Sequence, residues 1–369
     1  MDSGREKLCI VTPGHWSGNY GGAEQQIALL LNALIFQGFY EITYITRYVD
    51  NAYKPNGYSI KKVAFNPMTM RVGNILDARS LLSILETIRP HVIYQRVGGA
   101  YTGIAAYYAR KNSCKMIWHI SSDMNVMPFS IDKNKASNVI SRFIEKKVLE
   151  YGIRNTETII AQTRFQAEAL HKYYGLWPTK IIPNYQLVPG IQEKREQPIN
   201  IVWISNIKPM KRPELFIRLA NEFKSNENVR FIMIGRADKS TWGRQVTEEI
   251  QKTANVDYLG EKPQEEVNDI LSQSHILVNT SSYEGFPNTF IQAWMREIPV
   301  ISIEVSPDNV LESNNIGFRS ITFENLCHHL ELLINDRRRR ASMGQAARSY
   351  AIANHSEKNI QNIIDIIRV

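Results

Sequence analysis

The stretch Ser282-Tyr283-Glu284-Gly285-Phe286-Pro287-Asn288-Thr289-Phe290-Ile291-Gln292-Ala293 follows the short apolar run His275-Ile276-Leu277-Val278-Asn279. The run predicts a buried strand, and the stretch after it predicts a loop that opens a helix. Eight positions after the carboxylate of Glu284 comes the amide of Gln292. A helix start exposes unpaired N–H groups and the positive end of the helix dipole, which favours a bound diphosphate. The stretch therefore predicts an α/β fold with a ligand site where this strand ends.

Length and composition indicate an ordinary globular protein. The 369 residues suit two domains, and 43% hydrophobic with 22% charged residues excludes a disordered chain. Three widely spaced cysteines exclude a disulfide framework and favour a reducing compartment. The polar N-terminus leads directly into a predicted strand, and the longest near-apolar run, 27–36, is about half of a membrane span. We therefore expect no signal peptide, no membrane-spanning helix and a cytoplasmic protein.

Positive charge is concentrated in the first half of the chain. Residues 1–190 carry 22 Lys and Arg against 13 Asp and Glu, a net of +9, whereas the remainder carries 22 against 23, a net of −1. A basic half favours an anionic partner, either phospholipid head groups or a phosphorylated acceptor. The alternative is a solvated basic surface. No nucleic-acid partner is expected.

A basic amphipathic helix is predicted within this half, from about Lys135 to Tyr151. It carries Arg142, Lys146 and Lys147 beside an apolar stripe. The pattern fits a helix that lies on the inner face of a membrane, which would make the protein peripheral. It fits equally a surface helix packed on the protein, and we prefer that interpretation.

The order of the predicted elements indicates two parallel sheets. Apolar runs of four to six residues alternate with helical segments, as expected for sheets covered on both faces. The polar and charged stretch 189–198 predicts a linker between an N-terminal Rossmann-like domain, 1–188, and a C-terminal one, 199–349. A helical tail is predicted over about 337–367. The simplest architecture is two Rossmann-like domains that face each other across a cleft, since ligands bind at the carboxyl ends of such strands. The predicted strands are Leu8–Val11, Ile42–Thr46, Val92–Gln95, Lys115–His119, Thr158–Ala161, Lys180–Pro183, Asn200–Ile204, Val229–Ile234, Val256–Leu259 and Ile276–Asn279.

The first predicted loop, 12–24, is rich in glycine. Four glycines within nine residues, the last two being Gly21 and Gly22, lie between a strand and a helix. Glycine lets the backbone approach a ligand closely. The spacing does not match G-x-G-x-x-G, so a dinucleotide fingerprint is unsupported. The alternative is a flexible loop without a ligand, but such loops usually serve a site.

Three further positions suit a reacting, anionic ligand. His119 ends a predicted strand and could hydrogen-bond a sugar hydroxyl or polarise a reacting group, although a buried histidine bonded to backbone is the simpler explanation. The loop 205–214 holds Lys208, Lys211 and Arg212 before a helix, which suits a diphosphate leaving group or, alternatively, a basic surface loop. Arg236 follows the next strand and is a further candidate cation.

Taken together, these segments resemble the retaining glycosyltransferases of family four, which have the GT-B fold. The resemblance is strongest over 200–310, where Trp203–Pro213 and Ser282–Phe290 stand at the family's phosphate-binding and Glu-x7-Glu motifs. It extends more loosely over nearly the whole chain, to Gly21–Glu24, His119, Ala161–Thr163 and Ile182–Asn184.

The resemblance implies roles for individual residues. Lys211 would contact the donor diphosphate, Glu284 the donor sugar hydroxyls, and His119 would lie beside that sugar, which makes these three the candidate catalytic residues. The final helix, about 350–369, would pack back on the first domain. The candidate donor-binding residues are Gly21, Gly22, Asn206, Arg212, Arg236, Gly285, Phe286, Asn288, Thr289, Phe290 and Gln292.

Two positions depart from the family pattern. The family usually has arginine where this chain has Asn206, so Arg212 or Lys208 would have to supply that cation. The second glutamate is Gln292, whose amide offers one acceptor oxygen where a carboxylate can accept from both ribose hydroxyls. A change of this kind weakens donor binding by ~1–2 kcal/mol, about tenfold in affinity, without abolishing it.

The sequence thus predicts a retaining, metal-independent glycosyltransferase. It would move a hexose from a UDP- or GDP-sugar to a saccharide or lipid-linked glycan, in the synthesis of cell-surface polysaccharide or glycoconjugate. No cofactor is expected, because the nucleotide sugar is a substrate. The alternatives are a UDP-sugar epimerase on the same fold and a non-catalytic protein that binds sugar nucleotides as part of a complex.

Overall fold

The chain folds into two compact α/β units. The computed structural model describes residues 5–18, 21–64, 74–129, 139–237 and 240–368. Unit 1 comprises Met1–Asn184 with Lys358–Val369, and unit 2 comprises Tyr185–Glu357. The first four residues of the polar N-terminus, residues 19–20 of the glycine-rich loop and the predicted helix start at 135–138 lie outside the described residues.

In the described part of unit 1, seven parallel strands form one sheet in the order β3-β2-β1-β4-β5-β6-β7. The strands are β1 (Glu6–Val11), β2 (Tyr40–Thr46), β3 (Ser59–Lys62), β4 (Val92–Arg96), β5 (Lys115–His119), β6 (Thr158–Ala161) and β7 (Lys180–Ile181). The helices that precede unit 2 are α1 (Gly22–Gln37), α2 (Ala78–Ile88), α3 (Ala100–Lys111), α4 (Val139–Arg154) and α5 (Arg164–Tyr174). The central strands are buried on both faces, which explains their continuous apolar runs.

The described part of unit 2 repeats this plan with six parallel strands in the order β10-β9-β8-β11-β12-β13. The strands are β8 (Ile199–Ile204), β9 (Val229–Ile234), β10 (Val256–Tyr258), β11 (Ile276–Asn279), β12 (Val300–Ser302) and β13 (Gly317–Arg319). The helices are α6 (Pro213–Glu222), α7 (Thr241–Lys252), α8 (Gln264–Ser272), α9 (Asn288–Trp294), α10 (Val310–Ser313), α11 (Phe323–Asn335) and α12 (Arg337–His355). Buried apolar clusters around Trp203 and Trp294 form the core of this unit.

The strand order determines where each unit can hold a ligand. Direction along the sheet reverses between β1 and β4 in unit 1, and between β8 and β11 in unit 2. At such a reversal the loops that follow the two central strands diverge to opposite faces and leave a crevice at the carboxyl ends. The loops after β8 and β11 are the two that carry Lys211 and Glu284.

Several helix ends follow directly from local sequence. Thr163 caps α5 by accepting a hydrogen bond from the backbone N–H of Gln166. Helices α1 and α5 end at Gly38 and Gly175, whose φ values of 70° and 71° suit glycine. These helix ends are therefore encoded by single residues at the ends of the helices.

The C-terminal tail is two helices, so its prediction as one helical run is wrong in detail. Helix α12 ends at His355 and α13 (Lys358–Arg368) follows as part of unit 1. There Lys180 Nζ donates to Asn362 Oδ1 at 2.7 Å, and Asn359 Nδ2 donates to the carbonyl of Pro183 at 3.1 Å. Helix α13 is thereby held against the end of the first sheet.

The predicted parallel alternation is confirmed, but strands β3, β12 and β13 were not predicted. Strand β3 is a mostly exposed edge strand with two lysines, and β12 and β13 have three residues each. Sequences this short or this polar lack the periodicity that identifies a strand.

Helix α4 packs on the protein but leaves apolar side chains of its N-terminal half exposed, so the preferred interpretation of a packed surface helix holds only in part. Ile140 is 78% exposed and Phe143 45%. The C-terminal half is held by a close crossing with α3, where a Cβ atom on Gly152 would lie 2.8 Å from the backbone nitrogen of Gly103. Within the described ranges, no helix combines the length and apolarity needed to span a membrane.

Candidate functional site

The structure brings Lys211 and Glu284, 73 residues apart in sequence, into contact at the sheet reversal of unit 2. The Lys211 ammonium forms an ion pair with Glu284 Oε1. The two side chains are 16% and 18% exposed, so the pair is half-buried and still open to solvent. Lys211 ends the short turn that follows β8, and Glu284 lies in the loop between β11 and α9.

Hydrogen bonds fix the two loops to each other. Thr280 Oγ1 accepts from the indole Nε1 of Trp203 at 2.9 Å and donates to the carbonyl of Lys211 at 2.6 Å. Ser282 donates from its backbone N–H and from its hydroxyl to the carbonyl of Met210, at 3.0 and 3.1 Å. The backbone that carries the ion pair is therefore anchored to the buried Trp203 of β8.

The Glu284 carboxylate is oriented by the end of β11. Its Oε1 accepts a hydrogen bond from Ser281 Oγ at 2.8 Å. That hydroxyl accepts in turn from Asn279 Nδ2 at 3.3 Å, and Asn279 Oδ1 accepts from the backbone N–H of Ser281 at 3.2 Å. A carboxylate held in this way needs little reorganisation to receive a ligand hydroxyl.

Arg212, a predicted donor-binding cation, is committed to contacts within the protein. Nε donates to the carbonyl of Thr280 at 2.7 Å, Nη2 to that of Ser281 at 3.1 Å, and Nη1 to Glu304 Oε1 at 2.6 Å. Arg212 also has a left-handed backbone, with φ 47°. It therefore clamps the loop after β11 and is poorly placed to replace the family's missing arginine.

The other predicted cations differ in availability. Lys208 is exposed on the loop after β8, and its ammonium forms no ion pair with any described residue. Arg236 is 46% exposed on the loop after β9 and lies 3.6 Å from Glu261 Oε1. Asn206 lies beside Gly235. A Cβ atom on Gly235 would lie 1.7 Å from the carbonyl oxygen of Ser205, so the position requires glycine. Among these cations, Lys208 is the better candidate to assist Lys211.

The residues after Glu284 present backbone more than side chains. The Phe286 ring is 8% exposed and packs on His355 at 4.5 Å, and Phe290 is fully buried against Trp294 at 5.6 Å. Asn288 is also buried, whereas Gly285 and Thr289 are partly exposed. The two phenylalanines can therefore serve a ligand only through their backbone groups.

Gln292 is 3% exposed, and its Nε2 has no hydrogen-bond partner among the described residues. A buried amide N–H without an acceptor is costly, and it is uncommon in native proteins. The position that departs from the family pattern is thus also one with an unsatisfied polar group.

In unit 1, Gly21 and Gly22 lie at the start of α1. Gly21 is the N-cap, and a Cβ atom there would lie 2.6 Å from Glu24 Oε2. His15, in the preceding loop, is buried and stacks on Trp16 at a centroid distance of 3.8 Å. Burial lowers the pKa of His15 to about 4, so this imidazole is neutral near pH 7.

His119 lies at the carboxyl end of β5 and is fully buried. Its Nδ1 lies 2.7 Å from the hydroxyl of Tyr94 and 3.3 Å from Nη1 of Arg96, while Arg96 Nη2 donates to Asn184 Oδ1 at 2.6 Å. Burial, followed by the charge of Arg96, holds the pKa of His119 well below its usual value. Because a guanidinium can only donate, Nδ1 is the acceptor and the proton lies on Nε2.

His119 is a fully buried histidine, as the simpler explanation held, and a hydrogen bond with the backbone of Ile182 acts to raise its pKa, but its Nδ1 faces the side chains of Tyr94 and Arg96. Nε2 has no hydrogen-bond partner of good geometry in the described part of the chain. Sequence reasoning missed Arg96, which is 1% exposed. The only signal was a charged residue at the carboxyl end of a predicted strand.

No group of three or more His, Cys, Asp or Glu side chains is arranged to hold a metal ion within the described ranges. Chemically, the loops after β8 and β11 offer an ammonium group for an anion and a fixed carboxylate for hydroxyl groups.

Two family models match the chain and together cover most of it. The model described as Glycosyltransferase Family 4 matches residues 20–185, and the model described as Glycosyl transferases group 1 matches residues 187–350.

Two curated proteins are distant relatives. The D-inositol 3-phosphate glycosyltransferase of Rhodococcus erythropolis is 24% identical over 177 residues, 42% of this chain and 39% of that protein. A component of the phosphatidylinositol N-acetylglucosaminyltransferase of Homo sapiens is 24% identical over 347 residues, 89% of this chain and 68% of that protein. The chain thus spans about two-fifths of the length of the first relative and about two-thirds of the second.

Solved structures share the fold across the chain. Sucrose-phosphate synthase from Thermosynechococcus elongatus superposes with a TM-score of 0.79 at 13% identity, covering 99% of this chain and 98% of that one. HepE of Anabaena in complex with UDP-glucose gives a TM-score of 0.76 at 13% identity, covering 98% and 99%. The TM-scores establish a common fold of two parallel-sheet α/β domains, and at identities this low the likeness extends to the fold alone.

Proposed function

The chain belongs to the glycosyltransferases of family four, and from this premise we propose that it moves a hexose from a nucleoside-diphosphate sugar to a saccharide or lipid-linked acceptor. The observation that carries the proposal is the ion pair of Lys211 and Glu284 at the sheet reversal of unit 2. An ammonium group suits the diphosphate of such a donor, and a fixed carboxylate suits its sugar hydroxyls.

Donor binding requires the ion pair to exchange partners. A diphosphate brings more negative charge to Lys211 than the single carboxylate of Glu284, so it competes effectively for the ammonium. Glu284 keeps its hydrogen bond from Ser281 and becomes free to accept from a sugar hydroxyl. Because both side chains are partly exposed, the exchange needs no opening of the core.

We favour a same-face reaction with retention. The bond between the anomeric carbon and the diphosphate oxygen breaks, and the acceptor oxygen bonds to that carbon from the same side. The departing phosphate oxygen takes the acceptor proton, which leaves a nucleoside diphosphate as the second product. Lys211, assisted by Lys208, stabilises the charge that grows on the leaving group. Side-chain cations would fill this role without a metal ion, so EDTA should leave the rate unchanged.

The donor and acceptor classes are suggested by the relatives. HepE is described in complex with UDP-glucose, so a UDP-sugar is the first donor to test, with GDP-sugars second. The two curated relatives are named for inositol phosphate and phosphatidylinositol acceptors. An acceptor that carries a phosphate, free or in a lipid head group, fits the positive charge of residues 1–190.

Truncation of the ion pair tests the proposal. Lys211→Ala and Glu284→Ala should each lower donor turnover by roughly 10²–10³-fold, the loss typical of removing one group that stabilises transition-state charge. Lys224→Ala and Glu265→Ala, which remove the same side chains from exposed positions in unit 2, should retain activity within about twofold. Wild-type rates in both site variants would overturn the proposal.

A non-catalytic sugar-nucleotide binder is the second candidate. Asn206 and Gln292 replace two family residues, and Arg212 is occupied by Glu304 and backbone carbonyls. Calorimetric binding of UDP- or GDP-sugars without turnover on any phosphorylated or lipid-linked acceptor would favour this alternative.

We also propose that the N-terminal half of α4 rests on an anionic membrane surface, at the inner face of a membrane. Ile140, Phe143 and Ile144 are 78%, 45% and 39% exposed, and Lys147 beside them is 56% exposed. Apolar side chains flanked by lysine on one helix suit the boundary between lipid head groups and acyl chains. Wild-type protein should cosediment with anionic liposomes at low salt.

The membrane experiment has a matched control. Phe143→Glu should weaken cosedimentation, whereas Phe36→Glu, at a position 93% exposed on α1, should not. If wild-type protein stays in the supernatant at low salt, the basic half is an ordinary solvated surface.

A further inference from the structure

A basic pocket lies in unit 2 at the opposite end of the strands from Lys211 and Glu284. It has a volume of about 280 Å³ and three walls. The segment 191–196 just before β8 forms one wall, His275 just before β11 forms the second, and the first turns of α12 form the third. These are the amino ends of the strands, whereas Lys211 and Glu284 follow the carboxyl ends. We call this cavity the linker pocket.

The linker pocket is positively charged although the second half of the chain is not. Its walls hold four cations, Lys194, Arg195, Arg337 and Arg340, against the carboxylates of Glu196 and Glu297. Residues 191–369 have a net charge of −1. Glu196 is already paired with Arg337 at 2.6 Å. The remaining carboxylate, Glu297, acts on Lys194 but, among the described residues, forms no direct ion pair with the other three cations.

Two of the cations are partly buried and only partly satisfied. Lys194 Nζ donates to the carbonyl of Arg296 at 2.7 Å, and burial lowers the pKa of Lys194 to about 8. Arg340 Nη1 donates to the last carbonyls of α11, and burial followed by the charge of Arg337 lowers the pKa of Arg340. Both groups retain N–H donors beyond those bonds. Glu297 acts on Lys194 and Asp336 acts on Arg340, but in the part of the chain that the structure describes neither carboxylate forms a direct ion pair with its cation. A partly buried cation without a directly paired counter-ion is destabilised, and a bound anion would offset that cost.

His275 positions the wall of the pocket without adding charge. Its Nδ1 accepts from the backbone N–H of Asn200 at 3.0 Å, and its Nε2 donates to the carbonyl of Arg195 at 2.8 Å. Burial lowers the pKa of His275 to about 4, so the ring is neutral near pH 7. The backbone of Arg195 is thereby fixed, while its side chain stays exposed at the pocket.

We propose that the linker pocket binds a small anion carrying one or two phosphate groups. Guanidinium groups and a lysine ammonium match the geometry and charge of phosphate oxygens. The volume lies near the lower end of small-molecule sites, which suits inorganic pyrophosphate or a sugar phosphate. This site is separate from the donor site of the proposed function and does not rest on it.

Calorimetric titration with inorganic pyrophosphate tests the proposal. It is performed on full-length Lys211→Ala protein, so that the donor loop does not compete for the ligand. We expect saturable binding to one site, weakened at least tenfold by either Arg195→Gln or Lys194→Met in that background. Arg338→Gln removes an equal charge from the same arginine run without touching the pocket, and it should change the affinity less than twofold.

Parallel titrations with inorganic phosphate and with glucose 6-phosphate distinguish a free phosphate ion from a phosphorylated metabolite as the ligand. Two outcomes would overturn the proposal. One is absence of saturable binding of all three anions to the Lys211→Ala protein, which would place any wild-type binding at the donor loop. The other is weakening by Arg338→Gln equal to that by Arg195→Gln, which would indicate general surface charge. Arg195 is exposed, so loss of folding cannot account for its effect.

Discussion

The substitution Gln292→Glu restores the carboxylate found at this position in the family and should strengthen donor binding. In the protein the side chain is 3% exposed, and its Nε2 lacks a partner among the described residues. The change therefore removes an unsatisfied buried donor and introduces a second acceptor oxygen where the family binds ribose. The neighbouring Arg296, one turn further on, already donates to the Gln292 carbonyl at 3.0 Å.

The expected magnitude follows from these contacts. A carboxylate accepts from both ribose hydroxyls, and a charged acceptor adds ~1–2 kcal/mol over an amide, about tenfold in affinity. In the free protein, burying a charge opposes folding, whereas loss of the orphan amide donor, worth about 1–3 kcal/mol, and the nearby Arg296 guanidinium offset much of that cost. We therefore expect the dissociation constant for UDP to fall about tenfold, with little change in thermal stability.

Isothermal titration with two nucleotides isolates the ribose contact. The gain should appear with UDP and disappear with 2′,3′-dideoxy-UDP, which lacks both hydroxyls. Gln251→Glu makes the same charge change at an exposed position of α7 and should leave both affinities unchanged. An equal gain with both nucleotides, or no gain with UDP, would refute the assignment of position 292 to the ribose.

Three further outcomes are expected. Gly103→Ala should destabilise unit 1 by on the order of 1–3 kcal/mol in urea unfolding, because the new Cβ would lie 2.2 Å from a carbonyl of α4. Gly99→Ala, where a Cβ meets nothing within 4 Å, should be tolerated, and equal losses in the two variants would contradict the α3–α4 crossing. Trp203→Phe should cost more than the ~1 kcal/mol of its hydrogen bond to Thr280, because the smaller ring also leaves a cavity in the core. It should also lower donor turnover, because the Lys211 loop loses that anchor, and unchanged turnover would separate the bond from the site. The pKa of His119 is lowered in the folded protein, so on acidification the unfolded chain takes up this proton first, near pH 6.5. The folded state therefore keeps this contribution to its stability in full above pH 6.5 and loses up to ~1.4 kcal/mol per pH unit below it. His15 and His275, whose pKa values burial lowers to about 4, add to the same dependence. His119→Gln should therefore reduce the slope between pH 7 and 5.5, and an unchanged slope would show that the other groups cause it.

Much of the fold could be predicted because its signals are local. Apolar runs bounded by turn residues gave the central strands, and the structure shows that helix ends also follow local residues, such as the cap Thr163 and the glycines Gly38 and Gly175. Strands β12 and β13 were not predicted, because a strand of three residues is too short to show a hydrophobic period. The exposure of Ile140 was not predicted, because an amphipathic stripe in the sequence does not show whether anything packs against it.

The candidate site could be predicted only in part. Lys211 and Glu284 stand out as a cation and an acid in loops after strands, but Arg212 looked equally available for a ligand. The structure shows Arg212 committed to the carbonyls of Thr280 and Ser281. Arg96 gave almost no signal, because its importance depends on its contact with His119, 23 residues away.

The sequence by itself determined the alternation of strands and helices, the division into two α/β halves and the residue types at the strand ends. These properties follow from local periodicity and from the chemistry of single residues. Only the tertiary structure decided which loops meet. Lys211 and Glu284 pair because the order of the second sheet places β8 beside β11, although 73 residues separate them. Strand order depends on packing across the whole unit. The same packing decides that Lys211 faces a ligand while Arg212 holds the loop in place.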